Sequence, residues 1–248
     1  MNLKKVLSDF SLEKNEQRRN LNNSNQLTAL ENPPKEFKNV AKAILSGHFR
    51  VQNSSNESER VEVYPTCVEI YYHEEQANGV KDPIVYHRNR KTKSGRESNP
   101  IVFPLLGILH NHVSGIDITF EKKANADNKI VTGIVRASAL IREFKVKDKD
   151  GKWVEFTKIK NNEEKKYDIE DRSTYIYEYL FGQFSIFDGF RIEWVDGSEC
   201  ELAEFKTREN VATYKHEGAD FEKIKLENPP CKSKPYQQDS RRWQFRKR

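Results

Sequence analysis

From Glu36 onward, Phe37, Val40, Ala41, Ile44 and Leu45 fall at i, i+3, i+4, i+7 and i+8. That period makes one apolar helical face, and Gly47 predicts its end. The period then changes to two. "FRV" at 49–51 begins a strand, "NSSNESE" is a loop, and "RVEVYPTCVEIYYHEE" from Arg60 is β-rich, with Pro65 marking a bend or an edge. Further strands are predicted at about 102–109, 113–121, within "IVTGIVRASALI", and over "KWVEFTKI". "DRSTYIYEYLFG" reads as a helix with Ser173 or Thr174 as N-cap. "FSIFDGFRIEWVDGSECELAEFK" reads as strand, turn, strand, with "DG" twice as the turn signal. Residues 74–100 form a long polar loop. The pattern predicts an α+β single domain with a curved antiparallel β-sheet and a few peripheral helices over residues 36–248. A mobile polar N-terminal arm spans residues 1–35 and ends in "NPP". No internal repeat is visible.

The chain of 248 residues is 35% hydrophobic and 33% charged, so long solvated loops are expected around one modest core. No apolar run approaches the roughly 18 residues of a membrane span, and "MNLKKVLSDF" has no apolar segment of the secretory type. Cys67, Cys200 and Cys231 show no paired spacing, which fits a reducing, cytoplasmic setting without a disulfide framework. The net charge of +5 is unevenly spread. Between Lys81 and Arg96 stand six basic residues against Asp82, and from Lys232 to Arg248 seven against Asp239. Tyr236, Trp243 and Phe245 lie among the C-terminal charges. That mixture suits phosphate contacts beside base stacking.

Several polar groups interrupt apolar strands. Glu69 in "TCVEIYY" shares a strand face with Tyr71. A carboxylate there is either paired to a cation or placed for chemistry: burial raises its pKa, a cation lowers it, and either suits a water-activating base. In "GILHNHVSGIDITFE", His110 and His112 share one face, a spacing that can bind a metal with help from Asp117 or Glu121. Burying such groups without partners costs roughly 1–3 kcal/mol each. Asp196 followed by Glu204 and Lys206 has the order of a metal-dependent nuclease core, and equally that of a hairpin with a surface ion pair.

Taken in order, "VAKAILSGHFRV", "CVEIYY", "YHRN", "SGIDITFE", "GIVRA", "LFGQFSIFDGFRIEW" and "RRWQFRK" cover residues 40–246. No single motif is specific; their sequence along the chain resembles the DNA-3-methyladenine glycosylases of the methylpurine-DNA glycosylase type. The resemblance implies a DNA repair enzyme that flips a damaged purine out of double-stranded DNA and excises it. It implies Glu69 as the water-activating base and Arg136 as the residue that positions the water or a phosphate. Tyr71, His87 and His112 would contact the flipped base, with His73 competing for the role of His87. Arg88, Arg90, Lys91, Lys93, Arg241 and Arg242 would bind the DNA backbone. No metal or other cofactor, no membrane and no second subunit is implied. The family's wedge tyrosine is replaced by Ser114, and the loop between Glu69 and His87 is longer than usual. The alternatives are a catalytically inactive nucleic-acid-binding module on the same fold, or the nuclease built on Asp196, Glu204 and Lys206.

Overall fold

The computed structural model describes residues 1–10, 33–53, 60–74, 90–91, 97–98, 106–112, 114–120, 135–182, 187, 189–203, 206–209 and 241–248. The chain begins with helix α1 (Leu3–Asp9), followed by α2 (Lys35–Ser46). Strands follow as β1 (His48–Asn53), β2 (Arg60–Glu74), β3 (Arg90–Lys91), β4 (Glu97–Ser98), β5 (Leu109–His112), β6 (Gly115–Thr119) and β7 (Val135–Lys147). Then come β8 (Phe156–Lys160), β9 (Glu163–Tyr167), a 3-10 turn (Ser173–Tyr175) running into α3 (Ile176–Leu180), β10 (Phe190–Val195), β11 (Lys206–Glu209) and β12 (Arg241–Arg246). The architecture is the expected α+β domain built on a curled antiparallel sheet. Its strand order is β10-β1-β2-β7-β6-β5; β12 also pairs with β2 and carries β11. Among the described residues no helix is long and apolar enough to cross a membrane.

One face of this sheet is the core. Phe37, Val40, Ala41, Ile44 and Leu45 of α2 are essentially inaccessible and pack against Val63, Val68, Ile70 and Tyr72 of β2 and Ala137, Ala139, Ile141, Phe144 and Val146 of β7. The two long strands keep this face apolar only by a change of phase. Val63 pairs with Val146 and Pro65 with Phe144, but Val68 pairs with Ile141 and Ile70 with Ala139. The register shifts between Pro65 and Val68 absorb the odd step. Without that bulge a one-residue slip would turn the apolar set to the other face. Pro65 therefore marks an irregularity inside a central strand, where its missing N–H is tolerated.

The first ten residues are not part of an arm. Leu3, Leu7 and Phe10 are buried, and Phe10 packs on Phe37, Tyr72 and Phe120 with ring centroids 6.0, 5.9 and 4.8 Å away. Leu3, Val6, Leu7 and Phe10 stand at i, i+3, i+4 and i+7, a short apolar stripe inside a polar composition. Asp196 holds this helix in place: its carboxylate accepts from the Leu3 N–H (2.8 Å), Asn2 Nδ2 (2.9 Å) and Trp194 Nε1 (3.1 Å). The second "DG" is thus not a hairpin turn. β10 pairs with β1, from His48↔Val195 to Asn53↔Phe190, and Gly197 passes so close to α2 that an added Cβ would lie 1.7 Å from the Ser46 carbonyl oxygen.

The expected cap at Ser173 or Thr174 also differs. The Ser173 hydroxyl donates to the Ser114 carbonyl (2.7 Å), and the Tyr177 hydroxyl to that of Gly115 (2.6 Å). The turn between β5 and β6 is pinned there, and Gly115 adopts φ +123°, which a side chain would oppose. The sequence pattern also missed β9. It pairs with β8 through Asn161 and Asn162, both at positive φ (54° and 63°), the conformation of a tight hairpin turn.

Acid stability follows from one partly buried group, His48, and one buried group, Glu170. Burial holds the His48 imidazole below its usual 6.5; Glu62 opposes this, and Arg50, Lys147 and Arg60 reinforce it. Burial pulls the Glu170 carboxyl up, but the Arg172 guanidinium and backbone N–H bonded to it outweigh that and leave it below 4.5. For both groups the unfolded chain takes up protons first, so stability rises with pH across each interval. His48 contributes fully above about 6.5 and loses that contribution as pH falls towards its folded value; Glu170 does the same below about 4.5. The urea midpoint should therefore fall in two stages on acidification, and His48→Gln should remove the upper one. A single stage near pH 4 in the wild type would contradict the burial of His48.

Candidate functional site

The face opposite the core is polar and largely buried. Because β2, β7, β6, β5 and β12 are in antiparallel register, residues directly opposite one another project to the same side. One row reads Gln244–Glu69–Leu140–Asp117–His110. The next reads Tyr71–Ser138–Thr119. Glu69, Asp117, Arg136, Ser138 and Thr119 are 0–3% exposed, although apart from Leu140, which packs on Tyr71, the strands' aliphatic residues lie on the other side.

Glu69 is the centre of the first row. Gln244 Nε2 donates to Glu69 Oε2 at 3.0 Å, and Arg142 Nε lies 3.7 Å from the same oxygen. At the row's far end His110 Nδ1 is 3.7 Å from Asp117 Oδ2, with both side chains about nine-tenths buried. In the second row the hydroxyls of Ser138 and Thr119 are buried without a hydrogen-bond partner among the described residues, and the two residues face each other across β7 and β6. Two unmet hydroxyls cost about 1–3 kcal/mol each unless water or a ligand meets them. Chemically the face combines a buried carboxylate, a guanidinium, an imidazole–carboxylate pair and hydroxyls that can bond a polar ligand.

Glu69 and Tyr71 share this face as their spacing implied. Arg136 belongs to it too, but it stands opposite His73 rather than Glu69. Four residues of offset at ~3.3 Å each and one strand spacing separate them by about 14 Å. The guanidinium at Glu69 is Arg142's. Arg142, Ser138 and Gln244 were missed, although the signal is present: in "RASALIR", Arg136, Ser138, Leu140 and Arg142 alternate with Ala137, Ala139 and Ile141.

His87, Arg88, Lys93, Glu121 and Glu204 lie outside the described residues. Of His112, Arg90, Lys91, Arg241 and Arg242 the backbone is placed: His112 opposite Gly115, Arg90 and Lys91 paired with Ser98 and Glu97, and Arg241 and Arg242 at the start of β12. Ser114, at the family's wedge position, sits half-buried in the turn held by Ser173. Cys67 and Cys200 are buried free thiols; burial pushes the Cys67 thiol up to about 11, so it is no nucleophile at neutral pH. No protein-family model, curated protein or solved structure matches the chain.

Proposed function

We propose that the chain is a DNA repair glycosylase that flips a damaged purine from double-stranded DNA and hydrolyses its N-glycosidic bond. One observation carries the reading: the inaccessible Glu69 carboxylate shares a sheet face with Tyr71, Arg136 and the unmet hydroxyls of Ser138 and Thr119. Such a face suits a polar ring rather than an apolar ligand. Glu69 deprotonates the attacking water and stabilises the positive charge that develops on the sugar. Tyr71 supports the flipped base, with His87 and His112 as further base contacts. Ser138 and Thr119 bond its edge. Arg136, four residues along β7 from the partner of Glu69, binds a phosphate at the far end of the face, and the water-positioning role that the resemblance implies for it falls to Arg142 beside the carboxylate. The basic residues Arg88, Arg90, Lys91, Lys93, Arg241 and Arg242 attract the backbone. On this reading the enzyme acts as a cytoplasmic monomer and without a cofactor.

The test is base release from alkylated and deaminated duplexes, scored as abasic sites. The expected result is release that survives EDTA. No release from any such duplex removes the enzymatic reading. It would leave the inactive binding module, which the contacts of Arg142 and Gln244 on Glu69 favour, since they also suit a purely structural carboxylate. Release abolished by EDTA would favour the metal-dependent reading. That reading is weakened by Asp196, whose carboxylate is engaged at the start of α1.

A further inference from the structure

On the same side of β2, before the bulge, stands a cluster that the chemistry at Glu69 does not use. Trp153 packs edge-on to Tyr64, with centroids 5.1 Å apart at 60°, and His48 stacks under Tyr64 at 4.5 Å. Lys147 Nζ lies 4.9 Å from the Trp153 centroid and 5.4 Å from that of Tyr64; Lys145 Nζ lies 6.0 Å from Trp153. Trp153 nevertheless remains 51% exposed. An indole left half in water forgoes a large share of the hydrophobic stabilisation its burial would give. It is not a loose side chain: Val154 N–H donates to the Val146 carbonyl (2.9 Å), and Asp148 N–H to that of Lys152 (2.9 Å). The Asp148 carboxylate accepts from the N–H groups of Asp150 and Lys152. The backbone on both sides of Trp153 is thus fixed, while half of the indole stays open.

Beside it lies a cleft of about 310 Å³ lined by Arg60, Glu62, Lys147, Asp148, Lys149 and Asp150. Formal charge there is balanced, but its acids are partly engaged: Asp148 in the turn, and Glu62 with the Tyr64 hydroxyl and, at 3.8 Å, with Arg60, whose outer guanidinium edge alone is left to a ligand. Among the described residues neither Lys147 nor Lys149 has an ion-pair partner. A half-exposed aromatic ring with lysine ammonium groups against it and a polar cleft alongside is an arrangement that can hold an unpaired base beside its phosphate, the flexible lysines swinging from the ring to the phosphate as the base stacks. Tyr64 precedes Glu69 by five residues on β2, about 16 Å at ~3.3 Å per residue. That is the reach of a few nucleotides.

We propose that Trp153, Tyr64, Lys147, Lys149 and Arg60 form a subsite for an unpaired nucleotide of the DNA strand, its base stacked on Trp153 and its phosphate in the cleft. The proposal rests on the nucleic-acid reading of the Glu69 face, and it extends the substrate from a perfect duplex to one with an unpaired segment near the damaged base. A base must be out of its helical stack to lie on the indole, so a fully paired blunt duplex does not engage this subsite.

The test is titration of the full chain, followed by intrinsic fluorescence and by anisotropy of a labelled probe. The probes are a short single-stranded oligothymidylate, the same oligomer without bases, a blunt duplex and thymidine monophosphate. The expected result is that the oligothymidylate quenches the indole signal and that Trp153→Ala weakens its binding about tenfold, the range of one lost base stack. Trp153→Phe should restore most of that affinity by keeping the aromatic plane. Lys147→Gln with Lys149→Gln should flatten the slope of log K against log salt by roughly 1.4, at about 0.7 per phosphate contact on a single strand. The unfolding midpoint of each variant serves as the check on folding. Equal binding of the base-free oligomer, an unchanged affinity in Trp153→Ala, or binding of the free mononucleotide alone would each overturn the proposal. Base release is scored separately. A chain that binds single strands through Trp153 but releases no base loses only the glycosylase reading. One that releases base while ignoring Trp153→Ala loses only this subsite.

Discussion

Glu69→Gln is expected to lower base release from alkylated duplex DNA by about 10²–10⁴-fold, the usual share of a general base, while leaving DNA affinity close to wild type. The substitution keeps the side-chain shape and an acceptor for Gln244 Nε2, which donates to Glu69 Oε2. It removes the basic oxygen and the charge facing Arg142 at 3.7 Å. The Arg142 and Glu69 side chains are 22% and 2% exposed, so water screens the pair little, and removing its charge should cost up to about 3 kcal/mol of stability. A loss of turnover far beyond the unfolded fraction is therefore the signature of chemistry. Single-turnover release measured beside a urea titration separates the two effects. Release that survives the substitution would make Glu69 a structural partner of Arg142 and Gln244. A large stability loss with proportionate loss of activity would say the same.

Phe37→Ala is expected to destabilise the domain by about 3–5 kcal/mol, the range for truncating a fully buried aromatic. Phe37 is inaccessible and touches Phe10 and Tyr72 at once. Its loss should loosen α1, held mainly by that junction and by Asp196, as well as α2. Tyr72 adjoins Tyr71 on β2 but points to the core, so the cavity would open directly beneath the polar face. Urea unfolding gives the global cost, and amide exchange over residues 3–9 shows whether α1 detaches first. A cost below about 1 kcal/mol, or unchanged exchange in α1, would contradict the packing described for the first ten residues.

Much of this architecture is written in local periodicity. The 3.6-residue stripe from Phe37 to Leu45 specifies α2, and the period-two runs around Val68 and Ile141 specify two strands with one apolar and one polar side. Because Glu69 and Tyr71 are two apart on a strand, their shared face is legible before any fold is known. Placing Glu69 among polar groups needs only that alternation. The absence of an apolar span and the basic surplus of the two polar segments are also properties of the chain alone.

Register belongs to the tertiary structure. Nothing in "IVTGIVRASALIREF" says that Leu140 rather than Arg136 lies opposite Glu69; the pairing is set by the whole β2–β7 ladder from Glu62↔Lys147 to Glu74↔Val135, within which the bulge at Pro65–Val68 changes only the face that each residue presents. That ladder leaves Arg136 four residues away and brings Arg142 to the carboxylate. Long-range partners are equally invisible from the sequence. Gln244 reaches Glu69 across 175 positions of sequence, and β10 pairs with β1 rather than with the strand beyond its own "DG". Leu3 and Leu7 look like part of a polar arm until Asp196 caps α1 and Phe10 finds Phe37. Sequence period decides which residues face inward, since that is a property of neighbours. Which inward residues meet is decided by the whole core, since only one register buries every apolar side at once.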